Sequence, residues 1–352
     1  MKLATLKKLI FEKNVLSFLR LGGETQSLYR SAFASAADAS GLLSLLHEAP
    51  RDSHSIAQAL RVGPERHHAL LAWLDCGLGV GELALRGGRY HLKGKLSRLL
   101  ARPRNDVTAA MFAEVTRYHF DAILAAPTRL REGRAYTLDD QDGALIARSS
   151  RILEPFVEEA IDWAFAQDPQ PPQLVLEVGC GAGHYLSYML RQWPQLRLSA
   201  IDMQAEVVAS ARAHLEAQGL LERVTLREAN LFELGPPGDQ GYELITLHNN
   251  FYYFKAAERR ALLDHVAGML APEGRVLITS SCQGGSPAVA ALHLWWTLSD
   301  IDAGLPRREQ LLSLLQDGGW RDIAHRQLLP GESYYGFLAR RPAPSDMTRR
   351  PR

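Results

Sequence analysis

The sequence of 352 residues has few cysteines, no long apolar run and almost no net charge. Its three cysteines, Cys76, Cys180 and Cys282, are far apart and odd in number, which argues against a disulfide framework or a zinc site. We therefore expect no bound metal and a reducing, cytoplasmic compartment. No apolar stretch reaches the roughly 18 residues that a membrane-spanning helix needs, so we expect no membrane partner. With a net charge of +1, no overall field attracts the chain to nucleic acid.

The length allows about two domains. We predict an N-terminal helix and winged-helix domain over 1–104, a helical connector over 105–170, a larger domain over 171–342 and a disordered tail over 343–352. The proline-rich residues 168–172 mark the entry into the larger domain.

Residues 36–100 have the pattern of a winged helix, in which short apolar helices precede a hairpin that turns at Gly87 and Gly88. Ser53 is the predicted N-cap of the helix that ends at Leu60. A winged helix can bind DNA, but this segment carries eight lysines and arginines against six acidic residues, without a concentrated basic face. We therefore favour a structural or dimerisation role, and we expect no nucleic-acid partner.

From residue 173 onward, strand and helix patterns alternate. The predicted strands are Leu174–Val178, Leu196–Asp202, Val224–Glu228, Leu244–His248, Arg275–Ser280, Asp322–Leu328 and Tyr334–Ala339. Such alternation predicts an α/β fold with a Rossmann-like, seven-stranded, mostly parallel sheet and helices on both faces. The last two strands follow each other without a helix, so one of them is expected to be antiparallel.

A glycine-rich turn, Gly179–Gly183, follows the first of these strands directly and precedes a predicted helix. Glycines let the backbone turn sharply and let a ligand approach closely. Glu177, two residues before the turn, suits a cationic ligand such as an ammonium group. Asp202 ends the next strand, where a carboxylate can accept two ribose hydroxyls. Glu177 could instead satisfy nearby backbone groups, and Asp202 could cap the helix after it.

The segments Glu177–Gly183, Ala200–Met203 and Leu270–Ile278 resemble, in this order, the motifs of class I S-adenosylmethionine (SAM)-dependent methyltransferases. The N-terminal half resembles the winged-helix dimerisation domain of the small-molecule O-methyltransferases in that superfamily. The resemblance implies SAM as the cofactor, a small-molecule acceptor, and a homodimer formed through the N-terminal domain. It also implies that 171–342 binds SAM and that the connector helps to cover the active site.

The same resemblance implies which residues hold the cofactor. Glu177, Gly179, Cys180, Gly181 and Gly183 would line its methionine end, Asp202 would hold the ribose, and Met203, Asn230, Leu231 and Phe232 would contact the adenine. His248 and Asn249 would face the sulfonium, and Arg148 could reach the SAM carboxylate. Many members have Asp in place of Asn230, although an amide can also bond the adenine amino group.

Methyl transfer to a hydroxyl requires a general base. The related O-methyltransferases commonly have a His-Asp-Trp segment after the fourth strand, where this chain has Tyr252-Tyr253-Phe254. The usual histidine is therefore absent, and the candidate catalytic residues are His248, Tyr252 and His293. Tyr252 could also only wall the pocket, and His248 could make only a structural hydrogen bond. O-methylation is favoured, with nitrogen and carbon acceptors left open.

The segment 280–306 is predicted to cover the acceptor and contains the adjacent residues Trp295 and Trp296. Since both cannot face inward on one helix, we expect one of these side chains to pack and the other to line the pocket. The alternative is that both pack in the core. The competing function is that of a SAM-binding winged-helix transcriptional regulator. An aminopropyltransferase would need acidic groups that 249–254 does not contain.

Overall fold

The computed structural model describes residues 2–12, 15–238, 240–301 and 304–343. These residues form two compact units, Met1–Arg117 and Tyr118–Arg352. The boundary falls inside the predicted connector 105–170, and all but the first residue of the predicted tail lies outside the described residues. Among the helices of the described residues, none is long and apolar enough to cross a membrane.

The N-terminal unit is mainly helical. Its helices and strands are α1 (Leu3–Lys7), α2 (Val15–Ala39), α3 (Leu42–Glu48), α4 (Ser53–Ala59), α5 (His67–Gly79), β1 (Leu83–Arg86), β2 (Arg89–Leu92), α6 (Lys95–Leu100) and α7 (Asp106–Glu114). The strands β1 and β2 form the predicted antiparallel hairpin. The core of this unit contains Phe33 of α2 and the fully buried residues Leu42, Leu43, Ile56 and Leu74.

The predicted N-cap Ser53 is wrong by one residue. Asp52 caps α4, since its Oδ1 accepts the backbone N–H groups of His54 and Ser55 at 3.0 and 2.9 Å. A carboxylate at an N-cap accepts these otherwise unsatisfied donors. Ser53 is the first residue of α4, one position too late for this role.

The second unit contains the remaining elements. Its helices are α8 (Phe120–Glu132), α9 (Gly143–Ser150), α10 (Glu154–Phe165), α11 (His184–Gln192), α12 (Ala205–Glu216), α13 (Arg259–Met269), α14 (Pro287–Thr297) and α15 (Arg308–Asp317). Its strands are β3 (Leu174–Val178), β4 (Arg197–Asp202), β5 (Val224–Glu228), β6 (Tyr242–His248), β7 (Leu270–Ser281), β8 (Arg321–Gln327) and β9 (Tyr334–Arg340).

These seven strands form one sheet in the order β5-β4-β3-β6-β7-β9-β8. The strands from β5 to β7 are parallel and β9 is antiparallel to both of its neighbours, which confirms the predicted fold class. The chain order reverses at β3, which pairs with β4 on one side and β6 on the other. Ligands of open α/β sheets bind at the carboxyl ends of the strands at such a point, so the fold places the glycine turn there.

Apolar side chains on both faces of β3 explain why this strand lies in the middle of the sheet. Val175 of β3 is buried against Ile161 of α10 and Leu186 of α11 on one face. Leu176 is buried against Ile245 of β6 and Leu262 of α13 on the other face. A strand buried on both sides cannot alternate with polar residues.

Candidate active site

The glycine turn between β3 and α11 contains three residues in the left-handed region. The φ angles of Gly179, Gly181 and Gly183 are 68°, 53° and 80°. Residues other than glycine rarely adopt this backbone conformation. The backbone N–H groups of Gly179 and Cys180 donate to Ile201 O at 2.8 and 3.0 Å, which holds the turn against the end of β4.

Glu177 lies beneath this turn and is fully buried. Thr246 Oγ1 of β6 donates to its Oε2 at 2.7 Å, whereas its buried Oε1 has no hydrogen-bond partner. Burial raises the pKa of the Glu177 carboxyl to about 8. The predicted alternative, a carboxylate that backbone N–H groups satisfy, leaves this unpaired oxygen unexplained.

His248 is the neighbour of Glu177 on β6, with 3.8 Å between His248 Nε2 and Glu177 Oε2. Its Nδ1 lies 3.0 Å from Thr279 Oγ1, and its ring contacts that of Tyr185 with a centroid distance of 5.1 Å. Burial lowers the pKa of His248 to about 3. The imidazole is therefore neutral at physiological pH and would not compensate a negative charge on Glu177.

Two asparagines follow β6. Asn249 has a φ of 55° and a buried Oδ1 without a hydrogen-bond partner, and its N–H donates to Thr279 O at 2.9 Å. Asn250 Nδ2 donates to Val178 O at 2.5 Å, and its Oδ1 is likewise buried and unpaired. A Cβ on Gly179 would lie 2.7 Å from Asn250 Nδ2. Asn250 therefore joins the ends of β3 and β6, a role that our sequence analysis missed.

Asp202 is half-buried at the end of β4. Its Oδ2 accepts the N–H of Gly181 at 3.3 Å and its Oδ1 accepts that of Gln204 at 3.2 Å. The N-cap position of α12 belongs to Gln204, so Asp202 does not cap that helix. Each carboxylate oxygen keeps lone pairs with which it can accept further donors.

The residues predicted to contact adenine lie after β4 and β5. Met203 is 70% exposed and Phe232 is 42% exposed. Asn230 Oδ1 accepts the N–H of Phe232 at 3.1 Å, which caps a single helical turn, while Leu231 is buried. Asn230 thus sets the course of the chain there, and two exposed apolar side chains remain available for a flat ligand.

Cys180 and Arg148 occupy contrasting environments. Cys180 is buried in the glycine turn, and burial raises the pKa of its thiol to about 12. Arg148 is exposed on α9, which the turn Arg151–Leu153 separates from α10. Pro155 in the first turn of α10 explains this break, because proline lacks the N–H that a continuous helix requires.

An aromatic cluster joins the loop after β6 to α14. The ring centroids of Tyr253 and Trp296 are 4.4 Å apart, and those of Tyr252 and Trp296 are 5.4 Å apart. Trp295 stacks on Tyr136 at 5.4 Å. Both tryptophans are only 2% exposed, which agrees with the alternative that both of them pack in the core. Both can be buried because the segments of Tyr136 and Tyr253 cover α14 on two sides.

His293 of α14 contacts a backbone group. Its Nδ1 accepts the N–H of Leu305 at 3.1 Å and lies 3.4 Å from Thr297 Oγ1. Burial lowers the pKa of His293. A neutral imidazole whose Nδ1 accepts a hydrogen bond carries its proton on Nε2. In this arrangement, neither ring nitrogen of His293 has a free lone pair that could take a proton from an acceptor hydroxyl. Asp302, at the end of the predicted cover, lies outside the described residues.

No group of three or more His, Cys, Asp or Glu side chains within the described ranges is arranged to hold a metal ion.

Comparisons with known proteins identify a methyltransferase domain. Residues 175–274 match the family described as "Methyltransferase domain". The ribosomal RNA small subunit methyltransferase C of Pseudomonas paraeruginosa is 29% identical over 241 residues, which are 64% of this chain and 69% of that protein. A malonyl-[acyl-carrier protein] O-methyltransferase of Paenibacillus is 22% identical over 42% of this chain and 52% of that protein.

Solved structures extend the similarity over nearly the whole chain. Human N-acetylserotonin methyltransferase, solved in complex with SAM, has a TM-score of 0.68 at 19% identity and covers 94% of this chain and 98% of that one. The mitomycin 7-O-methyltransferase has a TM-score of 0.71 at 19% identity and covers 96% and 99%. At this identity the similarity establishes the fold.

Proposed function

The protein carries a methyltransferase domain of class I fold, and we propose that it transfers a methyl group from SAM to a small-molecule acceptor, a specialised metabolite. When bound, SAM supplies an electrophilic methyl group on a sulfonium. The chain supplies binding, orientation and exclusion of water, which account for much of the catalysis in such a displacement.

The observation that carries this proposal is the unpaired oxygen of Glu177 beneath a turn of three left-handed glycines. A buried polar atom without a partner is costly, which favours a ligand that donates to it. In this arrangement, Glu177 and the turn residues Gly179 to Gly183 would hold the methionine end of SAM, with His248 and Asn249 beside them.

The remaining proposed contacts with SAM would form at the same edge of the sheet. Asp202 keeps acceptor capacity for ribose hydroxyls, while Met203, Leu231 and Phe232 with Asn230 would flank the adenine. Arg148 on α9 would pair with the SAM carboxylate.

For the acceptor side we favour O-methylation at the aromatic cluster, because aromatic walls suit planar acceptors. The buried ring of His248 and the backbone contact of His293 support positioning roles for both histidines. The hydroxyl of Tyr252 would orient the acceptor. An acceptor whose hydroxyl ionises by itself requires no strong base, which fits a site without the usual histidine.

Two experiments test the proposal. Titration calorimetry measures the binding of SAM and S-adenosylhomocysteine. An activity assay then detects the S-adenosylhomocysteine that forms from SAM with a panel of phenolic acceptors. We expect binding of both compounds and turnover with at least one acceptor. Cofactor binding without turnover, together with salt-sensitive, sequence-specific retention of DNA in a gel shift, would support the winged-helix regulator instead.

Replacement of Tyr252 by Phe removes one hydroxyl and keeps the ring that packs on Trp296. We expect kcat/KM for the acceptor to fall about tenfold, the value of one hydrogen bond, with unchanged affinity for S-adenosylhomocysteine. Tyr253→Phe is the matched control and should retain most activity. Equal losses in both variants would argue that the two rings only wall the pocket.

We further propose a cytoplasmic homodimer formed through the N-terminal unit. A cavity of about 670 Å³ between α2 and α5 is lined by Tyr29, Phe33 and Trp73, and Tyr29 is 67% exposed. We expect sedimentation equilibrium to give the mass of two chains, and Tyr29→Arg to give one. Leu85→Arg, at a half-exposed leucine of β1, should leave the mass unchanged. A wild-type mass of one chain would refute the dimer.

A further inference from the structure

Glu177 is surrounded by groups that carry no charge at neutral pH. Burial lowers the pKa of His248 to about 3 and raises that of Cys180 to about 12. Burial also raises the pKa values of Tyr185 on α11 and Tyr334 on β9 above their usual range. The charged groups that act on these neighbours are all carboxyls: Asp202 on Cys180, and Glu154 and Glu158 on Tyr185. Within the described residues, no cation compensates a charge on Glu177.

Three carboxyl or amide oxygens and one imidazole nitrogen are buried at this point without a hydrogen-bond partner. They are Glu177 Oε1, His248 Nε2, Asn249 Oδ1 and Asn250 Oδ1. An isolated carboxylate in such a place is strongly disfavoured, and the group becomes neutral by binding a proton. A ligand that brings both N–H donors and a positive charge reverses this preference.

We propose that Glu177 is protonated in the cofactor-free protein and loses this proton when the ammonium group of SAM is bound beside it, so that cofactor binding releases close to one proton. This inference rests on the proposed function. The O–H bond of the Glu177 carboxyl breaks, its electron pair stays on the carboxylate, and the proton passes to the buffer. The ammonium keeps its protons and balances the new negative charge.

Calorimetric titration with S-adenosylhomocysteine, which has the ammonium but no sulfonium, measures the effect directly. The heat of binding at pH 7 is measured in buffers with different ionisation enthalpies. The slope of this heat against the ionisation enthalpy of the buffer gives the number of protons released. We expect a value close to one, which decreases above pH 8. We also expect affinity to rise about tenfold per pH unit between pH 6 and pH 7.5. Infrared difference spectra should show loss of a protonated carboxyl band on binding.

Two variants assign the proton to Glu177. Glu177→Gln should bind S-adenosylhomocysteine without proton release and with an affinity independent of pH over the same range. Asp202→Asn should bind more weakly and still release a proton. 5′-Methylthioadenosine, which lacks the amino acid, should bind the wild type without releasing one.

The possible failures are distinguishable. If neither SAM nor S-adenosylhomocysteine produces a heat of binding, the proposed function itself fails. If S-adenosylhomocysteine binds with a heat that does not depend on the buffer, only the proton release is refuted. Release that persists in Glu177→Gln, or that occurs only with SAM, would refute the assignment to Glu177 or to the ammonium group.

Discussion

Gly179→Ala should weaken binding of S-adenosylhomocysteine at least about 100-fold, since a displacement of about 1 Å at a site that positions ligands can cost this much. The residue has a φ of 68°, which an alanine adopts only with strain. The added Cβ would also lie 2.7 Å from Asn250 Nδ2, so the asparagine or the turn must move. We expect the free energy of unfolding to fall by roughly 2–4 kcal/mol.

A double-variant cycle separates the collision from the backbone strain. Asn250→Ala alone removes the hydrogen bond to Val178 O and should cost about 1–2 kcal/mol. In the double variant the collision is absent, so the two losses should not add, and the coupling energy should reach at least about 1 kcal/mol. Urea unfolding and calorimetry measure both quantities. Strict additivity would show that Asn250 does not restrict the turn.

Without cofactor, the wild-type protein should lose stability relative to Glu177→Gln as the pH rises from 5 to 7.5. The pKa of Glu177 in the folded state is raised to about 8 from an ordinary value of 4.5. Between these two values the folded chain keeps a proton that the unfolded chain has released. The stabilisation is therefore complete below pH 4.5 and is lost progressively as the pH rises towards 8.

The slope of this loss is about 1.4 kcal/mol per pH unit for one proton, which amounts to roughly 3 kcal/mol over the range. Urea unfolding of both proteins at four pH values measures it. The other ionisable groups are shared by the two proteins and cancel in the difference. The buried amide of the variant adds an offset that does not change with pH. Parallel stability curves would show that Glu177 is ionised in the cofactor-free protein.

The sequence predicts those parts of the site that neighbouring residues define. Glu177, the glycine turn and Asp202 lie at strand ends, and the period of the strands places them at one edge of the sheet. Asn250 was not predictable in this way, because its contact with Val178 joins two segments that are 72 residues apart. The contact depends on how β3 and β6 pair, which no local pattern specifies.

Trp295 and Trp296 show the same limitation for burial. Helical periodicity places adjacent residues on different faces, and this expectation is geometrically sound. Both tryptophans are nevertheless buried, because Tyr136 and Tyr253, from distant segments, each cover one of the faces.

The position of β9 also constrains how the chain acquires its site during synthesis. This strand pairs with β7 along Val276, Leu277 and Ile278, all of which are fully buried. A nascent chain that ends before Tyr334 presents this apolar strand as an open edge, which other chains can join. It also lacks Tyr334, which interacts with Tyr185 and Asn249 beside the site. We therefore expect ribosome-bound chains that end before β9 to aggregate and to acquire cofactor binding only after both final strands have emerged.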